Sequence, residues 1–284
     1  MSESFFNVNG AWRSLDTAYV NVNGKWREAD VYVNVNGNWN LVSLKRVTLS
    51  GGTHFDLFAH LAPLVGGAGN IEITLNGTYQ GTTTAAAAFL ITDTFAGRRV
   101  RIINNGLILG KEGAGGPGGP WNAAGHAGAA GGTAIYVNPS HGCRYLEFHN
   151  ASGGRVYAGG GGGGGGGGAW GGLGGNSNYG VKVSGGRGGS GAGSKGVSLP
   201  ATAGEAGGYQ NERGFMWARG GAGGAGGNFG ASGAQGGTGS SKGAPSAGAY
   251  GGGAGGAAGI AIHNVSAITL TGNTSTTHIM GRRI

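Results

Sequence analysis

The sequence predicts a mostly β protein with little α-helix: a β N-terminal region with solenoid-like rungs, followed by a bundle of glycine helices. Three observations predict it. Three short hairpin repeats open the chain, an apolar–x–Asn pattern recurs before apolar strands, and glycine fills 72 of 284 positions with a local period of three. That glycine share is more than three times the ordinary share of about 7%.

The hairpin repeats are Phe6-Asn7-Val8-Asn9-Gly10-Ala11-Trp12, Val20-Asn21-Val22-Asn23-Gly24-Lys25-Trp26 and Val33-Asn34-Val35-Asn36-Gly37-Asn38-Trp39. Each alternates apolar and polar residues, turns at Asn-Gly and resumes with Trp. Asn and Gly both tolerate positive φ, which a tight hairpin turn needs. One such unit buries little, so the three are expected to stack on one another as a small meander or to dock on a partner.

Residues 47–109 read as mixed β. Ile71-Glu72-Ile73-Thr74-Leu75 alternates into a turn at Asn76-Gly77, and residues 100–109 give strand, Asn-Asn-Gly turn, strand. Residues 53–64 carry His54, Phe55, Leu57, Phe58, His60 and Leu61 at helical spacing and end at Pro63, which predicts a short helix. Rungs are expected where Ile102-Ile103-Asn104 leads to Ile108 and Gly110, where Phe148-His149-Asn150 leads to Val156 and Gly159, and where Ile262-His263-Asn264 leads to Ile268 and Gly272. The first two run into glycine tracts and would form the platform from which those tracts start.

Glycine-rich sequence without a period reads as disorder. Here Ala114, Pro117 and Pro120 are separated by Gly-Gly, and so are Trp170, Leu173 and Asn176; Ser184, Arg187 and Ser190; Ala222, Ala225 and Asn228; and Ala254 and Ala257. Three residues per turn is polyproline-II geometry. A Gly-Gly-X chain has two bare faces for neighbours and one side chain for solvent. The run 159–168 is bare on every face and belongs in the middle, spanning about 31 Å at about 3.1 Å per residue. Such helices have no internal hydrogen bonds, so their amides and carbonyls must pair with adjacent segments.

The formal net charge is +8 without a long basic run, which favours anionic surfaces without selecting one. No nucleic-acid module is visible and no apolar run approaches the ~20 residues of a membrane span, so neither nucleic-acid binding nor membrane insertion is expected. Cys143 is alone and can form no internal disulfide. The first residues lack a basic stretch followed by an apolar one, so synthesis in cytosol and release by lysis are expected. HExxH, paired Cys-x-x-Cys and phosphate-loop motifs are missing, and Gly-x-Gly-x-x-Gly arises by chance in such sequence. His141 and His149 flank Cys143 without a clear orienting acid. The expectation is no enzyme, no cofactor and no metal.

The tract entered through Gly154-Arg155-Val156-Tyr157-Ala158-Gly159, the Gly-Gly-X segments up to Gly259 and the Val-Asn-Val-Asn-Gly-x-Trp repeats together resemble the T-even-type phage long-tail-fibre tip adhesins. The resemblance covers residues 110–260 strongly and 1–109 loosely. It implies a sandwich of polyglycine-II helices and three parts: a fibre-attachment region at 1–109, a receptor-binding domain at 110–260, and a C-terminal β segment at 261–284 packing back on the platform. It implies a place on the virion at the distal end of the fibre, attachment to a trimeric fibre-tip protein, and recognition of an outer-membrane protein or lipopolysaccharide. Trp12, Trp26 and Trp39 are the attachment candidates.

Receptor contacts would fall in the breaks between tracts, at 121–126, 176–183, 197–202, 209–219 and 240–245. The richest holds Tyr209, Gln210, Asn211, Arg213, Phe215, Met216, Trp217 and Arg219, types that combine contact area with directed polar groups. Asn178, Tyr179, Trp121 and His126 are secondary candidates, and Tyr250 lies in a segment that is either structural or at a loop. The alternative is a tail connector whose bundle is a spacer; a spacer has no need of the aromatic cluster. An ice-binding or matrix protein would want regular Thr or Ala arrays, which the irregular inserts lack.

Overall fold

A computed structural model describes residues 5–8, 11–14, 18–29, 31–35, 37–41, 44–62, 70–92, 95, 97–172, 180–193, 201–212, 216–242 and 246–284. The three repeats form separate antiparallel hairpins: β1 (Phe5–Val8) with β2 (Ala11–Ser14), β3 (Ala18–Val22) with β4 (Lys25–Ala29), and β5 (Tyr32–Val35) with β6 (Asn38–Leu41). Their registers are equivalent, with Asn7, Asn21 and Asn34 opposite Trp12, Trp26 and Trp39. In the second hairpin Asn23 and Gly24 take φ of 55° and 78°, as a two-residue hairpin turn demands. Asn21 and Asn34 accept the Gly24 and Gly37 amides at 2.9 Å and brace the turns.

The next strands are β7 (Leu44–Thr53), β8 (Phe55–Asp56), β9 (Asn70–Gln80), β10 (Phe89–Ile91), β11 (Arg99–Asn104), β12 (Leu107–Leu109), β13 (Ile135–Val137), β14 (Tyr145–Asn150) and β15 (Arg155–Tyr157). The expected helix is present as α1 (Leu57–Leu61), capped by Asp56, whose carboxylate accepts the Ala59 amide. After the bundle the chain returns as β22 (Ile260–His263), β23 (Thr269–Gly272), β24 (Ile279–Met280) and β25 (Arg282–Arg283). All pairings among these strands are parallel and fall into three stacks: β7–β9–β11–β14–β23, β7–β9–β12–β15–β24 and β8–β10–β13–β22–β25. Strands β7 and β9 are long enough to serve two stacks.

The turn expected at Asn76-Gly77 is instead a bend inside β9: Gly77 has φ of 82°, and a Cβ there would sit 2.3 Å from the Ser50 carbonyl oxygen. One ladder across the stacks, Val47–Ile73–Ile102–Phe148–Leu270, fills the core. Ile73, Ile102 and Phe148 are fully buried, worth about 1.5–3 kcal/mol per side chain.

The first two apolar–x–Asn rungs pair in register, Ile102 on Phe148 and Asn104 on Asn150, and Ile108 lies on Val156. The third is a correction: Ile262 and His263 pair with Ile135 and Tyr136 in another stack, and Leu270-Thr271-Gly272 occupies the place above Phe148-His149-Asn150. The side chains explain the difference. Asn104 donates to Asn150 Oδ1 at 2.8 Å and Asn150 donates to the Asn273 carbonyl at 2.8 Å, so a backbone carbonyl ends the ladder and no third asparagine is needed. Asn264 adopts left-handed φ of 61° and donates instead to the Val137 carbonyl.

Both glycine inserts leave the second stack, after β12 and β15, and return to the third, at β13 and β22. They therefore emerge side by side, and Gly110 donates to the Tyr157 carbonyl while Gly159 donates to that of Gly132. The central segment 159–168 is buried along its length and hydrogen-bonded to six others. Gly160, Gly163 and Gly166 donate to segment 184–193; Gly161, Gly164 and Gly167 to 231–239; Gly162, Gly165 and Gly168 to 123–132. It accepts from 110–120, 220–228 and 250–259, again at every third residue. Three donor directions and three acceptor directions thus take six neighbours, which also bond to one another around a closed ring; 201–208 lies outside, joined to 184–193 and 220–228. The amide row shared by positions 114, 117 and 120 faces solvent, where Pro117 and Pro120 cost no bond.

Candidate functional site

At the end away from the parallel sheets, the glycine segments pass into six short strands. They are β16 (Ala169–Gly172), β17 (Gly180–Val183), β18 (Tyr209–Glu212), β19 (Met216–Arg219), β20 (Ser240–Lys242) and β21 (Ser246–Ala249). They form two antiparallel sheets, β17–β16–β21 and β18–β19–β20. Trp170 is therefore a strand residue and not a bundle position, a second correction: the glycine run stops at 168, and a side chain with hydrogen-bond partners on both sides continues it as sheet.

The two sheets face each other across a core of small side chains, Ala169, Val181, Val183 and Ala218. A Cβ on Gly171 would come within 2.8 Å of the Lys242 carbonyl oxygen, so glycine permits this close approach. Two polar ties fix the pair. The Lys182 amide donates to Gln210 Oε1 at 3.0 Å, and the Ser241 hydroxyl donates to the Gly248 carbonyl at 3.0 Å.

Strand alternation then separates two faces. Gln210, Ala218 and Ser241 share a cross-strand row turned toward the other sheet. The outward rows are Tyr209, Arg219 and Ser240, and next to them Asn211, Trp217 and Lys242. Tyr209 is 62% exposed; Asn211, Arg219, Ser240 and Lys242 are exposed and Trp217 is half-buried. On the opposite sheet Trp170 lies over Gly248, and Lys182 Nζ sits 4.5 Å from the centroid of the half-buried Trp121 ring, a cation–π contact.

The structure thus gathers Tyr209, Gln210, Asn211, Trp217, Arg219 and Trp121 at one end. Gln210 differs from its neighbours because its carbonyl oxygen holds the two sheets together. His126 is exposed within segment 123–132, where its backbone bonds to Pro117 and Gly165. Tyr250 opens segment 250–259 at this end, its amide donating to Gly168. Asn178, Tyr179, Arg213 and Phe215 lie outside the described residues, as does the side chain of Met216 at the start of β19. The break at 197–202 belongs elsewhere: Gly193 lies by Glu112 and Thr202 bonds to Ser190, at the parallel-sheet end of the bundle. Sequence reasoning missed Trp170, Lys182, Ser240 and Lys242. Alternation in Val181-Lys182-Val183 was a signal, but pairing with distant strands decides the face.

Trp26 is 70% exposed, and Val20 and Val22, on the other face of their hairpin, are 48% and 40% exposed. This hairpin has no buried face of its own, the condition in which two strands need a partner. The side chains of Trp12 and Trp39 lie outside the described part.

His141 is committed to structure, with Nδ1 accepting the Cys143 amide and Nε2 against the Ala267 carbonyl. Burial pushes the Cys143 thiol up to about 11, away from thiolate chemistry. Among the described residues no group of three or more His, Cys, Asp or Glu could hold a metal ion, and no helix is long and apolar enough to cross a membrane.

A family model described as phage tail fibre adhesin Gp38 matches residues 6–284. Among curated proteins none matches. One similar solved structure is the gp37-gp38 adhesin tip complex of the bacteriophage S16 long tail fiber, 19% identical over 86% of this chain and 84% of that one, with a TM-score of 0.38.

Proposed function

The chain belongs to the Gp38 family of phage tail fibre adhesins, and on that premise we propose that its strand-built tip is the surface that meets the host. The three Trp hairpins hold a trimeric fibre-tip protein at the distal end of a long tail fibre, and the tip recognises an outer-membrane protein or lipopolysaccharide. One observation carries this reading. Four of the five breaks between glycine tracts gather at the end of the bundle opposite the parallel sheets, and that end displays Tyr209, Trp217 and Arg219.

The parallel strand stacks and the three-residue hydrogen-bond repeat support a β-solenoid platform carrying a polyglycine-II bundle. Such a bundle is stiff because backbones bond in every direction across it, and stiffness lets a distant tip be presented without ordering cost on contact. The attachment role rests on equivalent Trp positions in three hairpins and on the unburied faces around Trp26.

Phage carrying Tyr209→Ala, Phe215→Ala and Trp217→Ala together are expected to keep the protein on the fibre and to lose adsorption to susceptible bacteria. Trp12→Ala, Trp26→Ala and Trp39→Ala together are expected to abolish fibre capture while the purified chain still blocks adsorption. Normal adsorption by the tip variant would leave a tail connector as the better reading.

A further inference from the structure

We propose that the outer face of β18–β19–β20 binds an anionic saccharide, the phosphate-bearing sugar core of lipopolysaccharide. This rests on the tip being the host-contacting surface and names the ligand class it takes.

Six residues make the face: Tyr209, Arg219 and Ser240 in one cross-strand row and Asn211, Trp217 and Lys242 in the next. Their inward neighbours are occupied by the facing sheet, so these six side chains are what the sheet offers to solvent. The composition is specific. Two aromatic rings, two cations, one amide and one hydroxyl are present, with no aliphatic and no acidic side chain among them. A protein partner would favour an apolar centre. A sugar ring presents C–H faces that pack on aromatic rings and hydroxyls that bond to amides and hydroxyls.

The charges argue for an anion. Arg219 and Lys242 stand on adjacent strands at diagonal positions, about 7–8 Å apart by strand geometry. Among the described residues no carboxylate pairs with either one. Arg219 offers a fork of donors suited to one phosphate and Lys242 a point charge suited to a second, with Trp217 and Tyr209 as stacking platforms beside them. The chain's net charge of +8 adds long-range attraction to a phosphate-rich surface.

The full chain is titrated against purified rough lipopolysaccharide from susceptible bacteria, against the same material after chemical dephosphorylation, and against lipopolysaccharide-free outer-membrane proteins in detergent. Expected is saturable binding to the first, with affinity falling about tenfold or more for Arg219→Ala, for Lys242→Ala and on dephosphorylation. Binding should also weaken as salt rises from about 50 mM to about 500 mM. Unchanged unfolding midpoints establish that the variants fold. Equal binding of dephosphorylated material, or indifference to both substitutions, overturns the proposal. If the chain blocks phage adsorption yet binds only the detergent-solubilised proteins, the saccharide inference fails and the adhesin reading stands. If it neither binds cells nor competes with phage, the tip reading itself fails.

Discussion

The centre of the glycine bundle offers a sharp test of the packing argument through Gly163→Ala. A Cβ at that position would lie 2.0 Å from the Gly224 carbonyl oxygen, where ordinary contact begins at 3.4 Å, so segment 220–228 must retreat by about 1.4 Å. That displacement breaks the bonds from Gly221, Gly224 and Gly227 to the central segment, now 2.7–2.8 Å long. Three such bonds at about 1 kcal/mol net each, with about 1–3 kcal/mol of overpacking strain and about 0.4–1 kcal/mol returned by lower unfolded-chain entropy, give a loss of about 4 kcal/mol. Against a total stability of about 5–15 kcal/mol, that removes a large share. The matched control is Gly251→Ala, where a Cβ meets nothing within 4 Å; its effect should stay within about 0.5 kcal/mol. Urea unfolding followed by circular dichroism measures both, and hydrogen exchange at Gly221, Gly224 and Gly227 localises the damage. If the two variants unfold at the same midpoint, close backbone packing does not hold the bundle.

Two further outcomes follow from the parallel-sheet platform. Asn104→Ala leaves Asn150 Oδ1 and the Gly106 amide without their partner. A cost of about 1–3 kcal/mol is expected in the same unfolding assay, and no change would show the ladder to be energetically idle. The Cys143 thiol, raised by burial from 9.0 to about 11, should resist alkylation at pH 8 until denaturant is added. The folded protein retains a proton that the unfolded chain releases. Its stabilising contribution is therefore present below pH about 9 and is lost as pH climbs toward about 11. Rapid alkylation of the native protein at pH 8 would contradict the burial.

Local chemistry made much of this protein legible without coordinates. Asn-Gly turns and strict alternation identify the hairpins because the turn geometry is built into two residues. The run 159–168 declares its central place because only a residue without Cβ tolerates neighbours on every side. The first two Asn rungs pair because in-register asparagines satisfy each other.

What the sequence by itself determined was therefore the local element types, the central position of the bare glycine run and the aromatic candidates of the tip. Only the tertiary structure decided that Leu270, not Ile262, completes the Phe148 stack, that Gln210 turns inward while Arg219 and Lys242 share a face, and that the break at 197–202 lies at the wrong end for the tip. These are matters of which distant strands meet and in what register. Parallel pairing and sheet-on-sheet packing join residues tens of positions apart, and a one-residue slip in register exchanges the two faces of a strand, so the local pattern is compatible with either arrangement until the partners are in place.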